Sequence, residues 1–183
     1  ETPILISPDG YANPGFAGLI DRAAVPGQVL AVHDYSPRAY THQAAGAGLE
    51  FNPSLAEFDQ PIEGPWMLGE FGVSRWAPAA ADYLANRIAA AERAGAAWSV
   101  FRWDSGWRVY ENAENRFNPL SGEAADAREP DPQSALLATP SRAWSQNTMR
   151  PAPLLRREAR APRALILSPR RAGTVRNVIQ RSN

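Results

Sequence analysis

Glu70 is the residue whose type and setting most invite chemistry. It follows Trp66-Met67-Leu68-Gly69 and precedes Phe71-Gly72, so a carboxylate stands at the mouth of an apolar segment. A buried carboxylate without a partner is expensive, so Glu70 needs a local partner or a task. On position alone, a solvated strand-end glutamate and a functional one are equally good readings. His33 and Tyr35 shift that balance. They close a second apolar segment, Gln28-Val29-Leu30-Ala31-Val32, and their i, i+2 spacing turns both side chains to one side of a strand. A tyrosine hydroxyl can donate to a carboxylate and hold it ionised. A histidine can donate to the same carboxylate or to a substrate hydroxyl. A third group, Phe101, Trp103 and Asp104, ends another apolar segment. Asp9 follows a first, shorter one, where a turn-forming aspartate is the better reading.

Such residues need strands that end on one side, and the sequence pattern predicts them. Apolar runs bounded by Gly, Pro and Asp predict strands over 3–7, 28–35, 66–72 and 97–103. The clearest helix is predicted over 78–94. Pro78 suits its first turn, Leu84, Ile88 and Ala91 form a helical stripe, and Gly95 suits the C-terminal cap. Shorter helices are predicted over 16–24 and 132–138, and residues 36–64 read as a long irregular connection. Strands alternating with helices predict an α/β fold with a parallel sheet, and near-continuous apolar strands fit a sheet covered on both faces. In such folds ligands meet the C-terminal ends of the strands, where Glu70, His33, Tyr35 and Phe101 fall.

Composition narrows the function further. The chain has 183 residues, 44% of them hydrophobic, which is enough for one ordinary core. With no Cys and two His, at 33 and 42, neither a disulfide framework nor a metal site is expected, and no cofactor is implied. No apolar run approaches a membrane span, and Glu1-Thr2-Pro3-Ile4 lacks the basic-then-apolar order of a signal peptide. All 19 basic residues are Arg, balanced by 19 acids, but the balance is uneven along the chain. Acids dominate through residue 122, whereas from 132 onward Glu158 is the sole acid among 10 Arg. From about 140, Pro and Arg recur without any sustained period, so residues 140–183 are expected to form a poorly ordered basic tail. No nucleic-acid module accompanies that charge, and nucleic-acid binding is not expected as the main function.

Four stretches together carry a family resemblance. They are Val32-His33-Asp34-Tyr35-Ser36-Pro37, Tyr40-Thr41-His42-Gln43, Leu68-Gly69-Glu70-Phe71-Gly72-Val73, and the run from Trp98 to Tyr110. In order and approximate spacing they resemble the second half of glycoside hydrolase family 5, the cellulase-type enzymes, over about residues 1–139. The resemblance implies a partial (β/α)8 TIM barrel with strands equivalent to the fifth through eighth. It implies Glu70 as the nucleophile of retaining hydrolysis of a β-glucan-type polysaccharide, with His33 and Tyr35 lining the site of bond cleavage. Phe101 falls where the family carries an aromatic platform, offering less area than a tryptophan and no indole donor. Trp103, on the same strand face as Phe101, and Trp107 would complete a sugar-binding wall. His42 would be a structural or outer-subsite residue, and Trp66, Trp76 and Trp98 core or rim.

The family's second carboxyl group, a Glu after an Asn on the fourth strand, has no counterpart before Glu70. The resemblance therefore implies a truncated product, a piece of a longer chain, or a chain needing a complementary half. About 139 residues stand where such a barrel takes about 250. The expected partners are an oligo- or polysaccharide and the missing N-terminal half barrel. A parent enzyme of this kind would be secreted or periplasmic. The alternative is a non-catalytic carbohydrate-binding fragment that keeps the aromatic wall without the acid/base.

Overall fold

A computed structural model describes residues 3–22, 24, 27–55, 62–101 and 115–146. Four strands, β1 (Ile4–Ile6), β2 (Gln28–His33), β3 (Trp66–Phe71) and β4 (Ala97–Val100), form one sheet in chain order, and every pair is parallel. The α/β class expected from the alternation is the one observed. Parallel neighbours need crossovers of a dozen or more residues. These are supplied by a turn at α1 (Asp9–Ala12) with a 3-10 helix (Pro14–Leu19), by the long segment containing α2 (Arg38–Thr41), and by α3 (Ala80–Arg93).

The helix α3 shows why this sequence covers the sheet. Ala80, Tyr83, Leu84, Arg87, Ile88 and Ala91 are its buried residues, a stripe at helical spacing. Its C-terminus closes in a Schellman arrangement. Gly95, at φ +68°, donates to Glu92 O (3.0 Å), and Ala96 N donates to Ala91 O (2.9 Å). Leu30, Val32, Leu68 and Phe71 from the strands meet Tyr83, Leu84 and Ile88 in one core. Each fully buried aliphatic or aromatic side chain there contributes about 1.5–3 kcal/mol.

Several expected boundaries move. The stretch 16–24 is not an α-helix, because Pro14 and Gly15 start a tighter 3-10 turn that ends at Leu19. Pro78 lies outside its helix: Ala79 adopts a left-handed conformation (φ 57°) and α3 begins at Ala80. Residues 34 and 35 leave β2 so that Asp34 can turn inward, and β4 ends at Val100. The last helix, α4 (Ala135–Gln146), passes residue 139 and carries Pro140 in its interior. Proline removes one helical donor, but Thr139 Oγ1 and Ser141 Oγ bond back to Ala135 O and Leu137 O, and Leu136 and Pro140 are buried on the packed face. Packing against α3 outweighs the proline cost, which sequence pattern alone does not register. Of the tail expected over 140–183, residues 140–146 instead belong to α4, and residues 147–183 lie outside the described residues.

β1 forms one edge of the sheet, and its neighbourhood is apolar yet uncovered. Ile4 is 50% exposed, Leu5 60% and Leu19 80%. Exposed apolar side chains beside a strand edge mark a surface suited to association.

Candidate functional site

The site begins with a register shift. Val32 pairs with Leu68, but His33 pairs with Glu70, so Gly69 is passed over between the strands. A side chain at Gly69 would lie 3.4 Å from the His33 ring, and the glycine leaves that ring room to reach Glu70. The bulge thus sets His33 and Glu70 side by side at the strand ends.

Both partners address the same carboxylate oxygen. Tyr35 Oη donates to Glu70 Oε2 at 3.1 Å, and His33 Nδ1 lies 3.4 Å from Oε2. Among the described residues Oε1 has no hydrogen-bond partner, and the Glu70 side chain is 34% exposed. Glu70 lines the cleft together with both partners. The sequence places these three residues together by position, and the structure brings them within contact.

Tyr35 is held from several directions. Thr41 Oγ1 donates to Tyr35 O (2.7 Å), and the Tyr35 ring meets His42, Phe101 and Phe117 at centroid distances of 5.2, 6.3 and 5.7 Å. Phe101 is therefore part of a packed aromatic group, edge-on to Tyr35 and Phe117, rather than a bare platform. Trp103 and Trp107 lie outside the described residues. Trp66 is buried in the core, Trp98 packs partly against it, and Trp76 donates its indole N–H to Gln43 O (3.0 Å).

Sequence reasoning passed over two arginines that build this site from behind. Asp34 alternates inward between His33 and Tyr35, where it pairs with Arg87 Nη1 at 2.9 Å; both side chains are almost fully buried. Asp34 Oδ1 also accepts from Ser36 N (2.8 Å), Arg87 Nη2 donates to Ser36 O (2.7 Å), and Asp34 N donates to Glu70 O (2.9 Å). The signal was present: an arginine inside the apolar stripe of α3 requires a buried acceptor. Arg75 organises the opposite wall. Its guanidinium donates to the carbonyls of Asn115, Gly122, Ala124, Ala125 and Ala127, and its backbone N donates to Arg116 O (2.7 Å). This fixes the segment that brings Arg116 and Phe117 to the cleft. Burial, then Arg128, pulls the Arg75 pKa down, with Asp126 opposing.

The resulting cleft has a volume of about 710 Å³. Tyr11, 97% exposed, stands on its wall on a left-handed backbone (φ 60°). Such backbone in a non-glycine residue is strained and is concentrated at functional sites. Asp9 does form the turn, accepting from Gly10 N at 2.7 Å. Among the described residues that line the cleft, the other carboxylate is Asp34, and it is committed to Arg87. No group of three or more His, Asp or Glu side chains that could hold a metal forms among the described residues, and none of their helices is long and apolar enough to cross a membrane.

His42 is the titrating residue of this wall. Burial, and then the charges of Arg38 and Arg116, lower its pKa to about 4. Thr41 Oγ1 donates to Tyr35 O, so in its 2.9 Å contact with His42 the Nδ1–H is the donor. The unfolded histidine titrates near 6.5. Between pH 6.5 and 4 the unfolded chain binds the extra proton, so His42's contribution is complete above pH 6.5 and is lost as pH falls toward 4. Unfolding free energies measured across this window should fall with acidification by about 1–2 kcal/mol after allowance for partial exposure. His42→Gln should flatten that slope. An unchanged slope would assign it to other groups.

No family model and no curated protein matches the chain. Solved structures do match. An endoglucanase aligns at 15% identity and a TM-score of 0.51, over 74% of this chain and 47% of that one. The cellulose synthase subunit Z from Clostridioides difficile aligns at 15% identity and 0.52, over 75% and 48%. Thermotoga maritima Cel5A in complex with mannotriose aligns at 14% identity and 0.52, over 75% and 47%. The chain thus spans about half the length of the solved structures it matches. Likeness at this identity concerns the fold: four parallel strands matching about half of a TIM-barrel cellulase.

Proposed function

We propose that the chain is the C-terminal half of a retaining β-glycan hydrolase barrel, with Glu70 as nucleophile. One observation carries the proposal: Tyr35 and His33 both engage Glu70 Oε2 and leave Oε1 without a partner among the described residues. In this reading Oε1 attacks the anomeric carbon and forms a glycosyl–enzyme ester. A second carboxyl group, about 5 Å away, protonates the departing oxygen. That group then takes a proton from water, which attacks the ester and frees Glu70. The cleft's other described carboxylate is paired with Arg87, and in this reading the acid/base is supplied by a complementing half. The same half would cover Ile4, Leu5 and the edge of β1. In this reading the barrel portion runs through α4 to Gln146, the basic extension follows it, and Phe101, Trp103 and Trp107 make the sugar-binding wall.

The test is covalent. A 2-fluoro glycoside of a β-glucan disaccharide with a good leaving group should label Glu70, read by peptide mass spectrometry, once the complementing half is supplied. Glu70→Gln should abolish the label. Labelling at another residue, or none in the completed protein, refutes the assignment. The lack of an available second carboxylate in the described cleft favours one other reading, a non-catalytic carbohydrate-binding fragment. It requires the isolated chain to bind a β-glucan oligosaccharide, and the completed protein to show no turnover.

A further inference from the structure

The cleft is more cationic than a neutral glycan needs. Arg38, at the start of α2, and Arg116, beside Phe117, both line it with Glu70. Among the described residues neither makes an ion pair; the two pairs found there are His33 with Glu70 and Arg87 with Asp34. The contrast with the two buried arginines is chemical. Arg75 spends its donors on carbonyls, and Arg87 is matched to Asp34 and Ser36. Arg116 is anchored without being matched. Its carbonyl is held by Arg75 N, its guanidinium lies 5.0 Å over the Phe117 ring, and its Nε is buried with no acceptor. Both cleft arginines act electrostatically on the same imidazole, His42, whose ring packs against Tyr35. The two guanidinium groups thus share one cleft with Glu70, Tyr35 and His42.

We infer that these arginines form a subsite for an anionic sugar, and that the substrate is a β-glycan bearing a carboxylate on a residue other than the one at Glu70. The inference rests on the glycan reading of the site and names its substrate class. A carboxylate on the sugar at Glu70 would meet a like charge, whereas one held at Arg38 and Arg116 meets two guanidinium groups. Arginine suits that task because its planar fork binds a carboxylate through two parallel N–H bonds. In a partly desolvated cleft such a pair is stronger than on an open surface, and two unmatched cations also draw an anionic chain toward the site. His42 adds no charge near neutral pH, so the arginines define the subsite.

Calorimetric titration of the full chain with three oligosaccharides of one length tests this. They are a neutral β-1,4-glucan, its C6-oxidised form carrying uronosyl carboxylates, and a sulfate ester. At low salt the carboxylated ligand should bind at least about tenfold more tightly than the neutral one. The advantage should shrink at physiological salt. In Arg38→Gln with Arg116→Gln the ratio of the two affinities should fall to near one, while Arg116→Lys, which keeps the charge, should retain part of it. Circular dichroism establishes that the variants remain folded. Equal affinities in the parent chain, or a preference that survives the double substitution, overturn the inference. A sulfate ester that outcompetes the carboxylate overturns the choice of anion. Neutral binding without preference refutes this inference alone, whereas binding of none of the three overturns both this inference and the non-catalytic carbohydrate-binding reading, the covalent labelling of Glu70 testing the hydrolase reading separately.

Discussion

Arg87→Ala should destabilise the fold by about 3–5 kcal/mol, the largest effect expected of any single side chain in the described part of the chain. The reason is what it leaves behind. Asp34 is 3% exposed, and its carboxylate is held by Arg87 Nη1 at 2.9 Å. Without the guanidinium, a buried anion keeps only the Ser36 N–H, and Ser36 O loses its donor. Removing both charges should cost much less than the sum of the two single changes, because no unmatched ion remains. Arg87→Met combined with Asp34→Asn is the suitable pair, since asparagine still offers an oxygen to Ser36 N. Urea denaturation of the two single variants and the double variant measures the coupling, and additive losses would refute the account. The effect should also reach the site. Asp34 separates His33 from Tyr35 in sequence and donates its backbone N–H to Glu70 O, so loosening it loosens both partners of the carboxylate.

Gly72→Ala should cost about 3 kcal/mol or more and lower the melting temperature on the order of 10 °C. An added methyl would collide with Phe101 O and lie 3.4 Å from the Phe117 ring. The first neighbour is backbone at the end of β4, tied to β3 by Phe101 N donating to Phe71 O at 2.8 Å. It cannot rotate away as a side-chain tip would, so β4 must shift or the bond must break. Gly18→Ala is the control: nothing lies within 4 Å of its added methyl, and the change should stay within about 0.5 kcal/mol. Similar melting temperatures for the two variants would contradict the close approach.

The glycine and the arginine also mark where the sequence is legible and where it is not. Glu70, His33 and Tyr35 were readable because strand alternation and strand ends are local properties, and each lies at the end of an apolar run. The stripe on α3 and its Gly95 cap were readable for the same reason, although a left-handed Ala79 moves the start past Pro78. The short helix over 16–24 and the early end of the last helix were misread. Both depend on proline, whose effect is set by what packs around it: Pro14 sits in a 3-10 turn, while Pro140 is buried within α4.

By itself the sequence determined an α/β chain of four parallel strands, with a carboxylate, a histidine and a tyrosine at their C-terminal ends. Periodicity and composition act over a few residues, and those features are written at that range. The tertiary structure decided the rest. It passed over Gly69 so that His33 and Tyr35 share one oxygen of Glu70, and it turned Asp34 inward to Arg87. It also carried Arg116 to the cleft on a segment caged by Arg75. Each of these joins residues some 35 to 53 positions apart. Such pairings are selected by burial and charge compensation in the folded state, which no local pattern records.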